Sequence, residues 1–387
     1  MTSRRTRYSI IMTAMMACTG HAHAQSAVTM YGRINTGMVN YSGYGAGRGA
    51  VTQQNNLSSR LGFKGREDLG DGLSALFVIE SGFSPDTGAG ALGSRETSIG
   101  LQGPFGRVKF GFMLTALDDL HSIAGPGYLT NVTNDNLNGF WANGFSNMFH
   151  NNNGVGSSTD NCASTIAGNH NASNKFSFDN RYGNSIRYDT PSMGGFRFAT
   201  HAGLAEIMGC NAYAWSNSLQ YKGNDIQLAL AYNLHHNLRG KGLDDHIVML
   251  AGGYNIGTQG YIGAYYQTLR YANPGQNALT QDGFGLVGRR YLGPHTIELG
   301  WYHAGQGKGD QTPIYSGISI GNGSQSNLLI LGYRYAMSKR TELWSQLAQL
   351  RNGSKAQYDF GGTGPVPGEA LQGRHLRAIA AGIKHDF

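Results

Sequence analysis

The sequence predicts an all-β protein, an antiparallel up-and-down β-barrel of about 16 strands that spans a membrane. Only 14% of its 387 residues are charged and 59 are glycine, whereas about a quarter of the residues of a typical soluble protein are charged. Beyond residue 24, no apolar segment approaches the roughly 20 residues that a membrane helix needs. Short polar turns alternate with long loops from end to end, which is the connectivity of a barrel that crosses a membrane with strands.

Residues 1–24 have the features of a secretory signal peptide that is removed before folding. Arg4, Arg5 and Arg7 precede a short apolar stretch, and the segment ends in a small-x-small pattern at 22–24. Because three arginines and no acid leave with it, the net charge falls from +7 to +4. The basic balance of the remaining chain is therefore modest.

The remaining residues, 25–387, form a single predicted domain, because no linker or amphipathic helix divides them. Their basic residues stand singly and not in runs, which argues against a nucleic-acid partner. Two cysteines remain, Cys162 and Cys210, both in predicted loops. In an exported protein such a pair can form one disulfide, provided that the two Cα atoms come close enough.

Seven short turns join predicted strands in pairs, and longer loops rich in glycine and asparagine separate the pairs. The short turns lie at 69–72, 103–106, 191–195, 223–225, 256–260, 292–295 and 337–340. The long loops lie near 41–55, 84–92, 114–174, 205–211, 236–243, 272–280, 304–324 and 352–373. Seven hairpins together with a first and a last strand give about 16 strands.

Within the predicted strands, apolar and polar residues alternate with a period of two, which indicates a sheet with two different faces. Ile226, Leu228 and Leu230 share one face, and Gln227 and Asn233 share the other. In a soluble sandwich the apolar face points inward, whereas in a membrane barrel it points outward to lipid. The strand length, the turn and loop asymmetry and the tyrosines at strand ends favour the barrel. An exported β-sandwich adhesin remains the alternative.

Four segments and the C-terminal hexapeptide carry a more specific pattern. The segments are AVTMYGRINTGMVN (27–40), SSRLGFKGREDLGDGLSALFVIESGF (58–83), SRETSIGLQGPFGRVKFG (94–111) and NRYGNSIRYDTPSMGGFRF (180–198). The hexapeptide GIKHDF ends in Phe387. Together they resemble the general, diffusion-type porins of Gram-negative bacteria, especially the β-proteobacterial branch. In that family, the terminal phenylalanine is read by the outer-membrane assembly machinery.

The resemblance implies a homotrimer in outer-membrane lipid and lipopolysaccharide, with a channel in each barrel for small hydrophilic solutes and ions. It also implies that the third long loop folds into the lumen and narrows it, opposite a wall of basic side chains. Carried over to this sequence, the basic wall consists of Arg33, Arg60, Arg95 and Arg181. The resemblance implies no cofactor.

The alternation of the strands independently supports a lumen-facing position for three of these arginines. Arg33, Arg60 and Arg181 each fall on the polar face of a predicted strand. An arginine that points to lipid near the membrane midplane costs ~2–4 kcal/mol, so these three side chains are expected to face water. Arg95 shares its parity with Ile99 and Leu101, and its assignment depends on the resemblance alone.

The predicted constriction loop departs from the family pattern. Phe112 stands where relatives usually have an arginine, and the acids between 113 and 135 are Asp118, Asp119 and Asp135. We therefore predict that Asp118 and Asp119 form the loop side of the constriction, and that an excess of arginine makes the channel prefer anions. The alternative is a substrate-specific channel, in which aromatic residues further along the loop bind a solute in the pore. These residues are Phe140, Trp141, Phe145 and Phe149.

The sequence contains no catalytic or nucleotide-binding motif in a usable context, such as G-x-S-x-G, H-E-x-x-H or a P-loop. The adjacent His235 and His236 point to opposite faces of a strand, which argues against a metal site there. The sequence therefore predicts neither an enzyme nor a metal site.

Overall fold

The computed structural model describes residues 27–45, 47, 49–124, 178–206, 208–209, 211–238, 241–310, 318–360 and 372–387. The predicted signal peptide, the cysteine pair and the four aromatic residues of the third loop lie outside these residues. No helix in this part of the chain is long and apolar enough to cross a membrane.

In the part of the chain that the structure describes, seventeen strands form one antiparallel sheet in which consecutive strands pair, except that β2 and β3 both pair with β1. They are β1 (Ala27–Ser42), β2 (Val51–Asn56), β3 (Arg60–Gly70), β4 (Leu73–Gly82), β5 (Glu96–Gly103), β6 (Gly106–Leu114), β7 (Arg181–Asp189), β8 (Phe196–Leu204), β9 (Tyr213–Lys222), β10 (Ile226–His236), β11 (Asp244–Ile256), β12 (Gly260–Tyr271), β13 (Leu279–Leu292), β14 (His295–Ala304), β15 (Ser326–Ala336), β16 (Thr341–Asn352) and β17 (His375–Asp386).

β2 and β3 together make one crossing of the barrel, because both pair with β1. Residues 36–41 of β1 pair with β2, and residues 27–33 pair with β3. Between β2 and β3, Ser58 has a φ of 63°, which interrupts the strand. β1 also pairs with β17, from Arg33 opposite Asp386 onward. The sheet therefore closes into a barrel of sixteen crossings, which confirms the predicted fold class.

The predicted connectivity is correct except in the first long loop. Each of the seven predicted short turns joins two consecutive strands. The assignment of 41–55 to a loop was wrong, because β2 begins at Val51. Its sequence, VTQQNN, is polar on both faces, so no alternation of apolar and polar residues marks it as a strand.

The apolar faces of the strands point outward and the polar faces point into the barrel. Val28 and Met30 on β1 are 65% and 60% exposed, whereas Asn35 on the opposite face is buried. On β10, Leu228 is half exposed and Asn233 is fully buried. An apolar outer surface suits lipid, and the closed sheet pairs the backbone groups that lipid cannot satisfy.

The chain that follows β6 turns into the barrel. Leu117–Leu120 forms a 3-10 turn that contacts β9 and β10, and His121–Ala124 forms a helical turn that contacts β11, β12 and β13. The hydroxyl of Tyr261, on the inner face of β12, donates a hydrogen bond to the Ile123 carbonyl at 2.6 Å. These contacts attach the start of the third long loop to the inner wall.

Candidate functional site

Three of the predicted arginines lie on the inner wall with two carboxylates, in a group that we call the arginine cluster: Arg33, Arg60, Arg95, Glu80 and Asp386. The Nε atom of Arg33 lies 2.6 Å from Oδ1 of Asp386. The Nε atom of Arg95 lies 2.7 Å from Oε1 of Glu80, and that of Arg60 lies 3.9 Å from Oε2. Three guanidinium groups are thus grouped with two carboxylates.

Strand register brings the arginine cluster together at the seam where the barrel closes. Arg33 on β1 lies directly opposite Arg60 on β3 and directly opposite Asp386 on β17. The hydroxyl of Tyr31, also on β1, donates a hydrogen bond to Oε2 of Glu80 on β4 at 3.0 Å. Because the first and last strands both contribute, the complete cluster exists only in the closed barrel.

Arg95 turns toward the lumen although its parity assigns it to the outer face with Ile99. It immediately precedes Glu96, the first residue of β5, so the β5 ladder does not fix its direction. Its backbone N–H donates to the Glu80 carbonyl at 2.9 Å, and its Nε donates to the Glu80 carboxylate. Parity arguments therefore fail for this residue because it lies just outside the strand.

Glu80 was missed by the sequence analysis, although a signal was present. It is the one acid in the otherwise apolar and small-residue strand LSALFVIESG. A carboxylate is costly on a lipid-facing surface, and this cost alone indicates that the side chain faces the lumen. Its position beside the arginines follows from that requirement and from strand register.

Arg181, the fourth predicted arginine, begins β7 and is half-buried at the base of the third loop. Its charge interacts with those of Arg95 and Glu80 of the arginine cluster and with those of Asp118 and Asp179. Its Nε has no hydrogen-bond partner among the residues that the structure describes. Arg181 thus connects the arginine cluster to the loop.

Asp119 is bound to the barrel wall. Its Oδ2 accepts hydrogen bonds from Nη2 of Arg187 at 2.6 Å, Nη2 of Arg197 at 3.0 Å and Nε2 of Gln220 at 3.1 Å. These donors stand on three neighbouring strands, β7, β8 and β9. The carboxylate therefore attaches the loop to the wall.

Arg187 and Arg197 belong to a second ion cluster, the anchor cluster: Arg107, Arg187, Arg197, Asp119 and Asp189. Arg187 lies 2.9 Å from Oδ1 of Asp189, and Arg107 lies 3.0 Å from Oδ2 of the same residue. Three guanidinium groups are again grouped with two carboxylates.

Asp118 faces a different set of residues. Its Oδ1 lies 3.9 Å from Nε2 of His121, and the same nitrogen lies 3.2 Å from Oδ2 of Asp179. Burial, with a contribution from the Asp179 carboxylate, raises the pKa of Asp118 to about 7. The three side chains lie within 4.8 Å of one another, close enough to hold a metal ion. The guanidinium group of Arg181 already supplies positive charge there.

A third ion cluster, the rim cluster, lies near the short turns on β13 to β17: Arg289, Arg334, Lys384, Glu298 and Glu342. Arg289 Nε lies 3.2 Å from Oε1 of Glu298, which also binds Arg334. Lys384 Nζ lies 2.8 Å from Oε1 of Glu342. Sequence reasoning missed this cluster because its five residues stand on five different strands.

The fold and the residues inside it define the class of protein. It is a transmembrane β-barrel whose lumen is polar, is lined by charged side chains and is entered by a loop, which is the architecture of a channel. The family model described as Gram-negative porin matches residues 12–355. The chain belongs to the Gram-negative porin family and is an outer-membrane protein.

Two relatives confirm the β-proteobacterial resemblance. Outer membrane porin protein 32 of Delftia acidovorans is 26% identical, over 98% of this chain and 99% of the relative. An outer membrane porin protein of Bordetella pertussis is also 26% identical, over 95% of this chain and 96% of the relative. Both alignments span almost the whole of each chain.

Solved structures share the fold. The anion-selective porin from Comamonas acidovorans has a TM-score of 0.70 and 20% identity, over 94% of this chain and 100% of its own. The trimer form of OmpT from Vibrio cholerae has a TM-score of 0.62 and 14% identity, over 94% of this chain and 99% of its own.

Proposed function

We propose that this porin forms a water-filled channel for passive diffusion of small hydrophilic solutes and ions, that it prefers anions, and that it has no catalytic role. One observation carries the preference: the arginine, anchor and rim clusters each combine three cations with two carboxylates. Each cluster therefore contributes net positive charge to the lumen.

Excess positive charge in a narrow lumen attracts anions more strongly than the same charge on an open surface. Walls of low dielectric constant focus the field, and local potentials of several kT raise the concentration of counter-ions. The loop opposes this charge weakly, because Asp119 is bound by two guanidinium groups and the pKa of Asp118 is raised to about 7. The structurally similar porin from Comamonas acidovorans is anion-selective, which supports the same preference.

We infer that the constriction has Arg33, Arg60, Arg95 and Arg181 on its wall and Asp118 and Asp119 on its loop side. The charge of Arg181 interacts with that of Arg95 on the wall and with that of Asp118 on the loop, which supports this assignment. In this arrangement Asp119 positions the loop, and the four arginines supply the field that a passing anion meets.

We also infer a homotrimer embedded in outer-membrane lipid and lipopolysaccharide, supported by the trimer form of OmpT. Two backbone hydrogen bonds join Phe387 to Gly32 on β1. The Phe387 N–H donates to the Gly32 carbonyl at 3.0 Å, and the Gly32 N–H donates to the Phe387 carbonyl at 2.9 Å. We propose that the outer-membrane assembly machinery binds this terminal residue before β1 pairs with it.

Reconstitution in planar bilayers tests the function. In a KCl gradient the reversal potential should have the sign of chloride preference, and Arg60→Ser should move it toward zero. Arg290→Ser removes the same charge from an exposed position on the outer face of β13, and should leave the potential unchanged. A potassium preference of the unmodified protein would overturn the charge argument.

A further inference from the structure

The inner wall from β15 to β17 changes character along the strands. Near the short turns it carries the rim cluster, whereas toward the long loops buried leucines appear among its inward residues. On β17, Leu376 lies toward the long loop and Lys384 toward the short turn, and on β15 Leu328 and Arg334 lie in the same order. Both leucines are fully buried. Because an apolar wall facing water is unfavourable, this half of the wall needs a cover.

Residues 356–360 of the loop between β16 and β17, which we call the mouth segment, provide this cover, because their apolar side chains belong to the same buried hydrophobic cluster as Leu328 and Leu376. Ala356 and Tyr358 are fully buried, and Phe360 is 1% exposed. The Gly373 N–H donates to the Ala356 carbonyl at 2.9 Å, which joins the two sides of the loop at its base. The segment is therefore packed against the wall.

Tyr358 holds the mouth segment to the wall through three hydrogen bonds. Its N–H donates to Oδ1 of Asn352 at 3.0 Å, and its carbonyl accepts from Nδ2 of Asn352 at 2.8 Å. Its hydroxyl accepts from Nε2 of Gln281 at 2.8 Å. Asn352 on β16 and Gln281 on β13 both occupy inward positions, so Tyr358 lies inside the barrel.

Phe360 extends the contact to β1. Its ring centroid lies 5.6 Å from that of Tyr41, a buried inward residue whose hydroxyl accepts a hydrogen bond from Asn55 at 2.8 Å. The mouth segment thus contacts inward side chains of β13, β16 and β1, at the ends of these strands that lead into long loops.

We propose that the mouth segment is a second constriction, at the long-loop end of the channel, which limits solute size while the arginine cluster sets the charge preference. This inference rests on the proposed diffusion function. The segment runs inside the lumen from the contact with β13 to the contact with β1, and its two aromatic rings are packed there. It therefore contributes bulk to the passage.

Measurements of polymer exclusion in planar bilayers distinguish a limit on solute size from a preference for charge. Tyr358→Ala removes the ring that packs the mouth segment against the wall and binds Gln281, so the segment should detach, single-channel conductance should rise, and polyethylene glycols that the unmodified channel excludes should enter. The reversal potential in a KCl gradient should not change. Tyr254→Ala removes the same ring from the exposed outer face of β11, and should change neither quantity.

Tyr358→Phe keeps the ring and removes only the hydroxyl that Gln281 binds, so the size limit should remain. Heat-modifiable migration on gels identifies folded variants, and if Tyr358→Ala does not fold, Phe360→Ala provides the same readout at the contact with Tyr41. A folded alanine variant with unmodified conductance and polymer exclusion overturns the second constriction. Failure of the unmodified protein to conduct, or its preference for potassium, would instead overturn the proposed function.

Discussion

Asp119 on the third loop and Arg187 on β7 are joined by a 2.6 Å contact between Oδ2 and Nη2. Arg187 is buried against the inner wall and also binds Asp189, so the contact fixes the place where the loop enters the lumen. Hydrogen bonds between two charged groups are roughly twice as strong as neutral ones. The carboxylate of Asp119 is therefore used for attachment, and little of its charge is available to passing ions.

Asp119→Asn should loosen the third loop. Asparagine keeps the shape but loses the charge on which Arg187 and Arg197 converge, and a hydrogen bond to a charged group contributes about 1.5–3 kcal/mol. A loss of that size raises the population of detached loop by roughly one to two orders of magnitude. Single-channel recordings should show more frequent closures and more current noise. Asp118→Asn, which lies outside the anchor cluster, should not increase the closures or the noise. Equal noise in both variants would contradict the attachment of the loop through Asp119.

Glu80→Gln should increase the anion preference. The change leaves the three guanidinium groups of the arginine cluster with Asp386 alone, and two unit charges 4 Å apart interact by about 4 kcal/mol at an effective dielectric constant near 20. The reversal potential in a KCl gradient measures the effect. Glu67→Gln removes the same charge at the exposed end of β3, and should have little influence. A weaker anion preference in Glu80→Gln would mean that positioning of Arg95 outweighs the charge of Glu80.

The anion preference should also fall as the pH rises through 7. Burial raises the pKa of Asp118 to about 7, so the carboxyl is mainly neutral below this pH and adds a negative charge beside Arg181 above it. His121 and Asp179 face the same carboxyl, and deprotonation of the histidine would change the charge in the same direction. Reversal potentials on both sides of neutrality measure the trend, and Asp118→Asn should reduce it. A potential that is independent of pH in the unmodified protein would contradict this prediction.

The connectivity was predictable because turns and alternation are local features of sequence. β2 was missed because its residues are polar on both faces, and the lumen-facing side chain of Arg95 could not be derived from parity because the residue precedes its strand. The ion clusters show more clearly what local sequence features cannot predict. Parity indicates that Arg187 faces water, but its partner Asp119 is 68 residues away, and their contact depends on the path of the loop.

Trp344 covers the seam at which the barrel closes. Its indole lies against Gly37 and Gly382, which pair directly across β1 and β17, and a Cβ at Gly37 would lie 2.6 Å from the ring. The glycines therefore provide the space that the ring fills. The indole Nε1 donates to Oδ1 of the buried Asn35 at 2.9 Å.

Trp344→Phe should destabilise the closed barrel more than the same change at Trp301. Both indoles donate to an asparagine Oδ1, but Trp344 is 2% exposed and Trp301 is 41% exposed. Removing a donor from a buried acceptor costs about 1–3 kcal/mol, whereas an exposed acceptor can bind water in its place. The temperature at which the folded band disappears on gels should fall for Trp344→Phe and stay near the unmodified value for Trp301→Phe. Equal shifts would show that the buried contact across the seam contributes no more than an exposed one.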